Sequence, residues 1–312
     1  MERMTLNGIY KLKYFDYDTF HIENVMCDNF FPNDWIDANV PEDVHTTLRR
    51  YGYLSGHYYD KDLDQERWID EKDWVYFRSF VADERLYGHA CTLCLEGVDT
   101  LARVWLNGTL LGTCQNMFRE YTFPVGDALL FGQENRLVIQ VLSPLGHTAS
   151  TSKKGIYPED DATRMLLRKS QMNWGWDFCG HCLTVGLWKS IYLKTCDEAA
   201  LSDARLTTET LDAKEAKLHL SCTVQNGSAE DEVEIKLSAK GVPVCIHRLT
   251  ADEARDFSFT LKEPRPWWPR PYGDPFLYDV CIQLLHGGAT VDKKEFHFGL
   301  RIVELQQNYE DG

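Results

Sequence analysis

Positive charge is in short supply in this chain. Across 312 residues, 33 Lys and Arg side chains stand against 48 Asp and Glu, a formal net charge of −15. A surface that negative repels phosphate backbones and anionic lipid, so nucleic acid and membrane surfaces are poor partners. Long apolar runs are missing as well. No stretch approaches the roughly 20 residues of a membrane span. Met1-Glu2-Arg3-Met4-Thr5-Leu6-Asn7-Gly8 lacks the apolar centre of a secretory signal. Ten cysteines without small-scaffold spacing predict reduced thiols in a cytoplasmic protein. The common chemical signatures are absent too: there is no G-x-G-x-x-G, P-loop, G-x-S-x-G or H-E-x-x-H. That removes the standard dinucleotide, nucleotide, serine-hydrolase and zinc-protease readings.

What is present is an ordinary globular composition rich in rings, with 44% hydrophobic, 12% aromatic and 26% charged residues. A chain of this length predicts about two domains. The dominant period is two. Trp74-Val75-Tyr76-Phe77-Arg78-Ser79-Phe80-Val81 reads as a strand covered on both faces. Leu137, Ile139 and Val141 share one face, as do Leu218, Leu220, Cys222 and Val224. Val233, Ile235, Leu237 and Ala239 form another stripe, and Tyr278, Val280, Ile282 and Leu284 a further one. Asn107-Gly108 between two apolar runs is a strong hairpin signal, and Asn226-Gly227, Lys240-Gly241 and Gly287-Gly288 punctuate the last third. Many short strands with Gly and Asn turns argue for β-sandwiches.

Helix is scarce. The best candidate covers residues 41–51, with Pro41 in its first turn, Val44, Leu48 and Tyr51 on one face, and Gly52 at its end. Residues 187–194 read as a closing strand. A boundary is expected at Asp197-Glu198-Ala199-Ala200, followed by a meander of about 100 residues, the size of an immunoglobulin-like sandwich. Pro264-Arg265-Pro266-Trp267-Trp268-Pro269-Arg270-Pro271 cannot lie in a central strand. It reads as an extended crossing segment whose tryptophans plug a domain edge. The polar tail, residues 306–312, reads as a cut linker.

Two C-x-x-C spacings raise the question of zinc. Cys91 and Cys94 sit in a strand-like run, where positions three apart face opposite ways and cannot share one ion. Cys179, His181 and Cys182 flank Gly180 in a loop that could converge on a metal, although a free Cys is most often a small buried hydrophobe. No metal and no cofactor is expected. The most unusual segment is Arg168-Lys169-Ser170-Gln171-Met172-Asn173-Trp174-Gly175-Trp176-Asp177. An acid beside an aromatic ring suits a sugar: the carboxylate accepts from two hydroxyls while the ring covers the C–H face. The alternative is a structural Trp cluster in which Asp177 caps a turn.

The run Glu96-Gly97-Val98-Asp99-Thr100-Leu101-Ala102-Arg103-Val104-Trp105-Leu106-Asn107-Gly108 resembles the sugar-binding domain of family 2 glycoside hydrolases. Asn116-Met117-Phe118-Arg119-Glu120-Tyr121-Thr122-Phe123, Val40-Pro41-Glu42-Asp43-Val44-His45 and Asp73-Trp74-Val75-Tyr76 extend the likeness. Gly175-Trp176-Asp177, preceded by Arg168, Lys169 and Gln171, is similar to the β-mannosidase branch. Trp267-Trp268-Pro269 and Phe298-Gly299-Leu300-Arg301-Ile302-Val303-Glu304-Leu305 look like the family's second sandwich and its exit.

The resemblance implies an all-β fold: a jelly-roll, galactose-binding-like sandwich over residues 1–197, then an immunoglobulin-like sandwich over 198–303. Residues 304–312 would begin a linker to a (β/α)-barrel. In the family that barrel carries the catalytic glutamates, and here no Asn is followed by Glu. The expected role is therefore the N-terminal portion of a retaining exo-β-mannosidase, inactive alone and supplying a substrate-binding loop. By resemblance, Asp177 binds sugar hydroxyls with Trp176 beside it and Arg168 supporting the carboxylate. The partners implied are the carbohydrate substrate and the chain's own barrel, with a homodimer left open. One departure stands out. β-Mannosidases usually continue Asp-Trp-Gly-Pro, whereas Asp177 is followed by Phe178-Cys179-Gly180-His181. A β-galactosidase or β-glucuronidase of the same family, and a stand-alone carbohydrate-binding sandwich, are the competing readings.

Overall fold

A computed structural model describes residues 2–27, 29–55, 63, 65–151, 162–196 and 199–305. The chain divides into two units, Met1–Cys196 and Asp197–Gly312. Asp197 and Glu198 of the expected boundary, and the tail 306–312, lie outside the described residues.

The first unit contains β1 (Arg3–Thr5), β2 (Gly8–Asp16), β3 (Ile36–Val40), β4 (Glu42–Asp43), β5 (Lys72–Val81), β6 (Cys91–Leu95) and β7 (Val98–Asp99). It continues with β8 (Ala102–Leu106), β9 (Thr109–Cys114), β10 (Tyr121–Pro124), β11 (Glu134–Val141), β12 (Gly186–Leu187) and β13 (Ile191–Thr195). One sheet has the order β1-β13-β6-β10 and the facing one β3-β2-β5-β11-β8-β9; a small third sheet runs β4-β12-β7. The period-two stripes decide which face goes where. Trp74, Tyr76 and Phe80 of β5 enter the core between the sheets with Leu137, Ile139, Val141, Leu93 and Leu95. Val75 and Phe77, on the opposite face, join Val138, Trp105, Phe20, Val25 and Trp35 in a second cluster. β5 is thus covered on both sides, as its apolar run predicts. The same alternation puts Cys91 in the core with Leu93 and Leu95, while Cys94 points away from them.

Asn107 and Gly108 form the β8–β9 turn, both with positive φ (50° and 81°). That is the left-handed pair a two-residue hairpin needs. Asn107 does more than turn the chain. Its amide donates to Ala128 O and to Asn135 Oδ1, both at 2.8 Å, and its oxygen accepts from Arg136 N at 2.7 Å. The hairpin is therefore stitched to β11.

Two local expectations need correction. The helix runs over Val44–Arg50, not from Pro41. Asp43 is its cap, accepting from Thr46 N at 3.1 Å, and a capped start outweighs a favourable Pro upstream. Pro41 instead joins β3 to β4. The closing strand also breaks in two: β12 pairs with β4 and β7, while β13 pairs with β1 and β6 in another sheet.

The second unit holds β14 (Ala200–Leu211), β15 (Glu215–Gln225), β16 (Asp231–Ala239), β17 (Val242–Thr250), β18 (Phe257–Lys262), β19 (Tyr278–His286) and β20 (Ala289–Phe298). Sheet β14-β15-β18 faces sheet β17-β16-β19-β20, a seven-strand immunoglobulin-like sandwich. Leu218, Leu220 and Cys222 meet Val233, Ile235, Leu237, Val280, Ile282 and Leu284 in its core. The proline-rich segment lies between β18 and β19, outside any strand. Trp267 N donates to Leu300 O at 2.9 Å, and the Arg301 guanidinium lies 3.9 Å from the Trp268 ring centre. Both tryptophans thus pack on their own unit.

Candidate functional site

The segment carrying the predicted sugar residues runs from the helix Ala162–Met165 to β12. A loop this long stays ordered only if its polar groups find partners. Here they do. Lys169 is buried, and its Nζ lies 2.5 Å from Asp99 Oδ1 at the end of β7. The ammonium also donates to Thr184 O. Thr184 Oγ1 donates to Asp99 Oδ2 at 2.7 Å and accepts from Asn173 Nδ2 at 2.7 Å. Burial pushes the Lys169 pKa down, and the Asp99 carboxylate pulls it back up. The pair ties both legs of the loop, at Lys169 and Thr184, to the third small sheet.

A second clamp holds the returning leg. His181 Nε2 lies 2.6 Å from Asp70 Oδ2, and its Nδ1 lies 3.3 Å from Trp174 O. Asp70 sits on the 3₁₀ turn Arg67–Glu71 and is buried. Burial raises its carboxyl pKa; the His181 contact opposes that rise. Asp70, Asp99, Lys169 and Thr184 line one internal cavity of about 10 Å³, near the lower limit for a single water. A third contact fixes the outgoing leg: Met117 N donates to Arg168 O at 3.0 Å.

From these anchors the chain reaches its tip. Gly175 has a φ of +105°, a conformation that L side chains rarely adopt. Trp176 N then donates to Cys179 O at 2.9 Å, and Cys179 N returns the bond to Trp176 O at 3.1 Å. This four-residue turn projects Asp177 and Phe178. Trp176 is 55% exposed and Phe178 73%. Large apolar rings left in water beside an acid are the informative exception to burial.

Of the three residues singled out from sequence, Trp176 and Asp177 stand together on the tip. Arg168 is exposed, and no ion pair with Asp177 occurs among the described residues. The neighbouring cation, Lys169, carries the structural load instead. Sequence reasoning missed Asp70, Asp99 and His181 as its framework. Asp99 lies inside the family-like run, but nothing in a linear pattern links it to Lys169, 70 positions away.

The convergent zinc reading of Cys179, His181 and Cys182 does not match the geometry. His181 is held by Asp70, and Cys179 is exposed, with its thiol 3.4 Å from Met172 O. Cys182 instead comes within 4.8 Å of His45 and Glu66. Glu66 is already gripped by Arg49, 2.8 and 2.6 Å from its two oxygens. Burial pushes the Cys182 thiol up to about 11 and His45 down to about 4, so both stay neutral at pH 7. A protonated thiol and an arginine-capped carboxylate are poor metal ligands.

Comparison with known proteins places these features. The glycosyl hydrolase 2 galactose-binding-domain-like family matches residues 20–189, and a second domain of the glycosyl hydrolases family 2 matches residues 199–301. The chain belongs to glycosyl hydrolase family 2. Among its relatives is beta-mannosidase B of Aspergillus terreus, 31% identical over 86% of this chain and 33% of that protein. The β-D-mannosidase structure from Dictyoglomus thermophilum superposes with a TM-score of 0.80 at 30% identity, covering 98% of this chain and 37% of the other. A Bifidobacterium dentium β-glucuronidase gives a TM-score of 0.67 at 21% identity, covering 98% of this chain and 49% of that one, a likeness of fold alone. The chain spans about a third of the length of the β-mannosidases it matches.

Proposed function

We propose that this chain is the N-terminal portion of a retaining exo-glycosidase that removes terminal β-mannosyl residues, and that its Trp176–Asp177 turn forms one wall of the sugar site. One observation carries the reading. Identity of 30–31% to β-mannosidases extends over 86–98% of the chain, and the exposed ring–acid turn lies within the matched region. The β-glucuronidase likeness is weaker in sequence and supports the fold only.

In this reading the Asp177 carboxylate accepts hydrogen bonds from sugar hydroxyls, each charge-assisted contact contributing about 1.5–3 kcal/mol. Trp176 covers the apolar face of the ring, and Arg168 is the third residue of the set. Retaining hydrolysis requires two further carboxyl groups about 5–5.5 Å apart, which the reading assigns to a C-terminal barrel. Ten cysteines without the spacing of a small disulfide scaffold suit a reducing, cytoplasmic setting.

The test is an aryl glycoside panel on the full-length protein. The β-mannoside should be the preferred substrate, and Asp177→Asn should lower kcat/KM at least roughly tenfold with unchanged melting. The 312-residue chain alone should be inactive. Turnover of p-nitrophenyl β-mannoside by that chain, or wild-type kinetics in Asp177→Asn, would overturn the assignment.

A further inference from the structure

A second ring-lined cleft lies on the first unit, and it shares no lining residue with the Trp176–Asp177 turn. Its volume is about 460 Å³, within the usual range for a small-ligand site. Trp74 forms a buried floor; Tyr14 meets both Trp74 and Trp68 edge to face, with ring centres 5.6 and 5.4 Å away, and Trp68 lies tilted against Trp74 at 5.8 Å. Tyr14 and Tyr53 remain exposed at 50% and 64%. Tyr53 stacks on Tyr51 with ring centres 6.4 Å apart, so both exposed tyrosines are braced by neighbouring rings beside the tryptophan floor. The polar edge is equally specific. Lys13 and Asp34 form an ion pair at the rim, and Lys13 holds the Asp34 carboxyl below its ordinary pKa. The cleft therefore offers flat C–H-binding faces with a paired donor and acceptor at its exposed rim.

We propose that this cleft is an accessory carbohydrate site that takes one hexopyranose unit of a neutral oligosaccharide. The sugar's C–H face lies on Tyr14 and Tyr53, and two of its hydroxyls bridge Lys13 and Asp34. An ammonium only donates and a carboxylate only accepts, so a pair of neighbouring hydroxyls, each able to do both, fits the two at once. A phosphate would meet Asp34, and a purely apolar ligand would leave the ion pair unused. Trp68 belongs to the same 3₁₀ turn as Asp70, so one short element serves the cleft and the clamp on the Asp177 loop. The choice of mannan fragments as the first probe rests on the proposed function; the cleft itself does not.

The experiment titrates the purified 312-residue chain with mannohexaose and, separately, cellohexaose. Binding is read by calorimetry and by saturation-transfer NMR. The expected result is saturable binding with Kd on the order of 1 mM. Tyr14→Ala and Tyr53→Ala should each weaken it roughly three- to tenfold. Asp34→Ala, an exposed position that leaves the core untouched, should do the same. Thermal melts check that each variant folds. Preference for cellohexaose that still depends on Tyr14, Tyr53 and Asp34 supports the cleft while counting against the mannosidase reading. No saturable binding of either oligosaccharide overturns the cleft, as does binding that is lost in Asp177→Asn and kept in the Tyr53→Ala and Asp34→Ala variants.

Discussion

Replacing Lys169 by methionine is the sharpest probe of how the Asp177 loop is held. The side chains of Lys169 and Asp99 are 2% and 4% exposed, so the substitution leaves a carboxylate buried without its cation. Breaking a buried pair from one side costs about 3–5 kcal/mol, because the remaining charge has lost both water and partner. The first unit spans Met1–Cys196, a size at which each kcal/mol moves the melting midpoint by about 2–4 °C. Lys169→Met should therefore lower the midpoint of that unit by roughly 6–20 °C.

The same change removes the ammonium's bond to Thr184 O, so amide exchange should accelerate in residues 170–185 before it does in β5 or β11. Pairing Lys169→Met with Asp99→Asn removes both charges. The double variant should then be more stable than Lys169→Met alone, a coupling visible only by a mutant cycle. The assay is calorimetry together with hydrogen exchange by mass spectrometry. A midpoint within about 2 °C of wild type, or strictly additive single effects, would refute the view that this pair anchors the loop.

Other expectations follow from single contacts. The folded protein keeps His45 neutral down to a pH of about 4, whereas the unfolded chain takes up that proton near pH 6.5. The unfolded state binds more protons in that window, so stability should fall as the pH drops from about 6.5 to 4, by roughly 2–3 kcal/mol from this group. His45→Gln should flatten that part of a urea-denaturation pH profile; an unchanged slope would exclude His45 as its source. Asn107→Ala removes three side-chain hydrogen bonds at a residue with positive φ. It should cost roughly 2–3 kcal/mol in urea unfolding. Asn107→Gly should recover only the backbone part, and full recovery would show that the stitching to β11 contributes nothing.

Much of this fold was legible in the linear pattern. The stripes on β5, β11, β15, β16 and β19 were readable because a strand exposes its faces alternately, so burial is written at a period of two. The turns at Asn107-Gly108, Lys240-Gly241 and Gly287-Gly288 were readable because few residues adopt positive φ, and these six do. The helix start was misplaced at Pro41 because two plausible starts lay three positions apart. The broken closing strand was unreadable because residues 187–194 stay apolar enough for either outcome.

The ring–acid turn divides in the same way. The sequence alone determined its members, Trp176 and Asp177, since an unusual cluster of residue types is a property of the chain itself. It also determined the two-sandwich class, because strand period and turn chemistry are local. Only the tertiary structure decided that Lys169, not Arg168, anchors the loop through Asp99, and that His181 closes it on Asp70. Those partners are 70 and 111 positions apart. Which buried charge meets which is set by how the sheets stack, and no local periodicity carries that information.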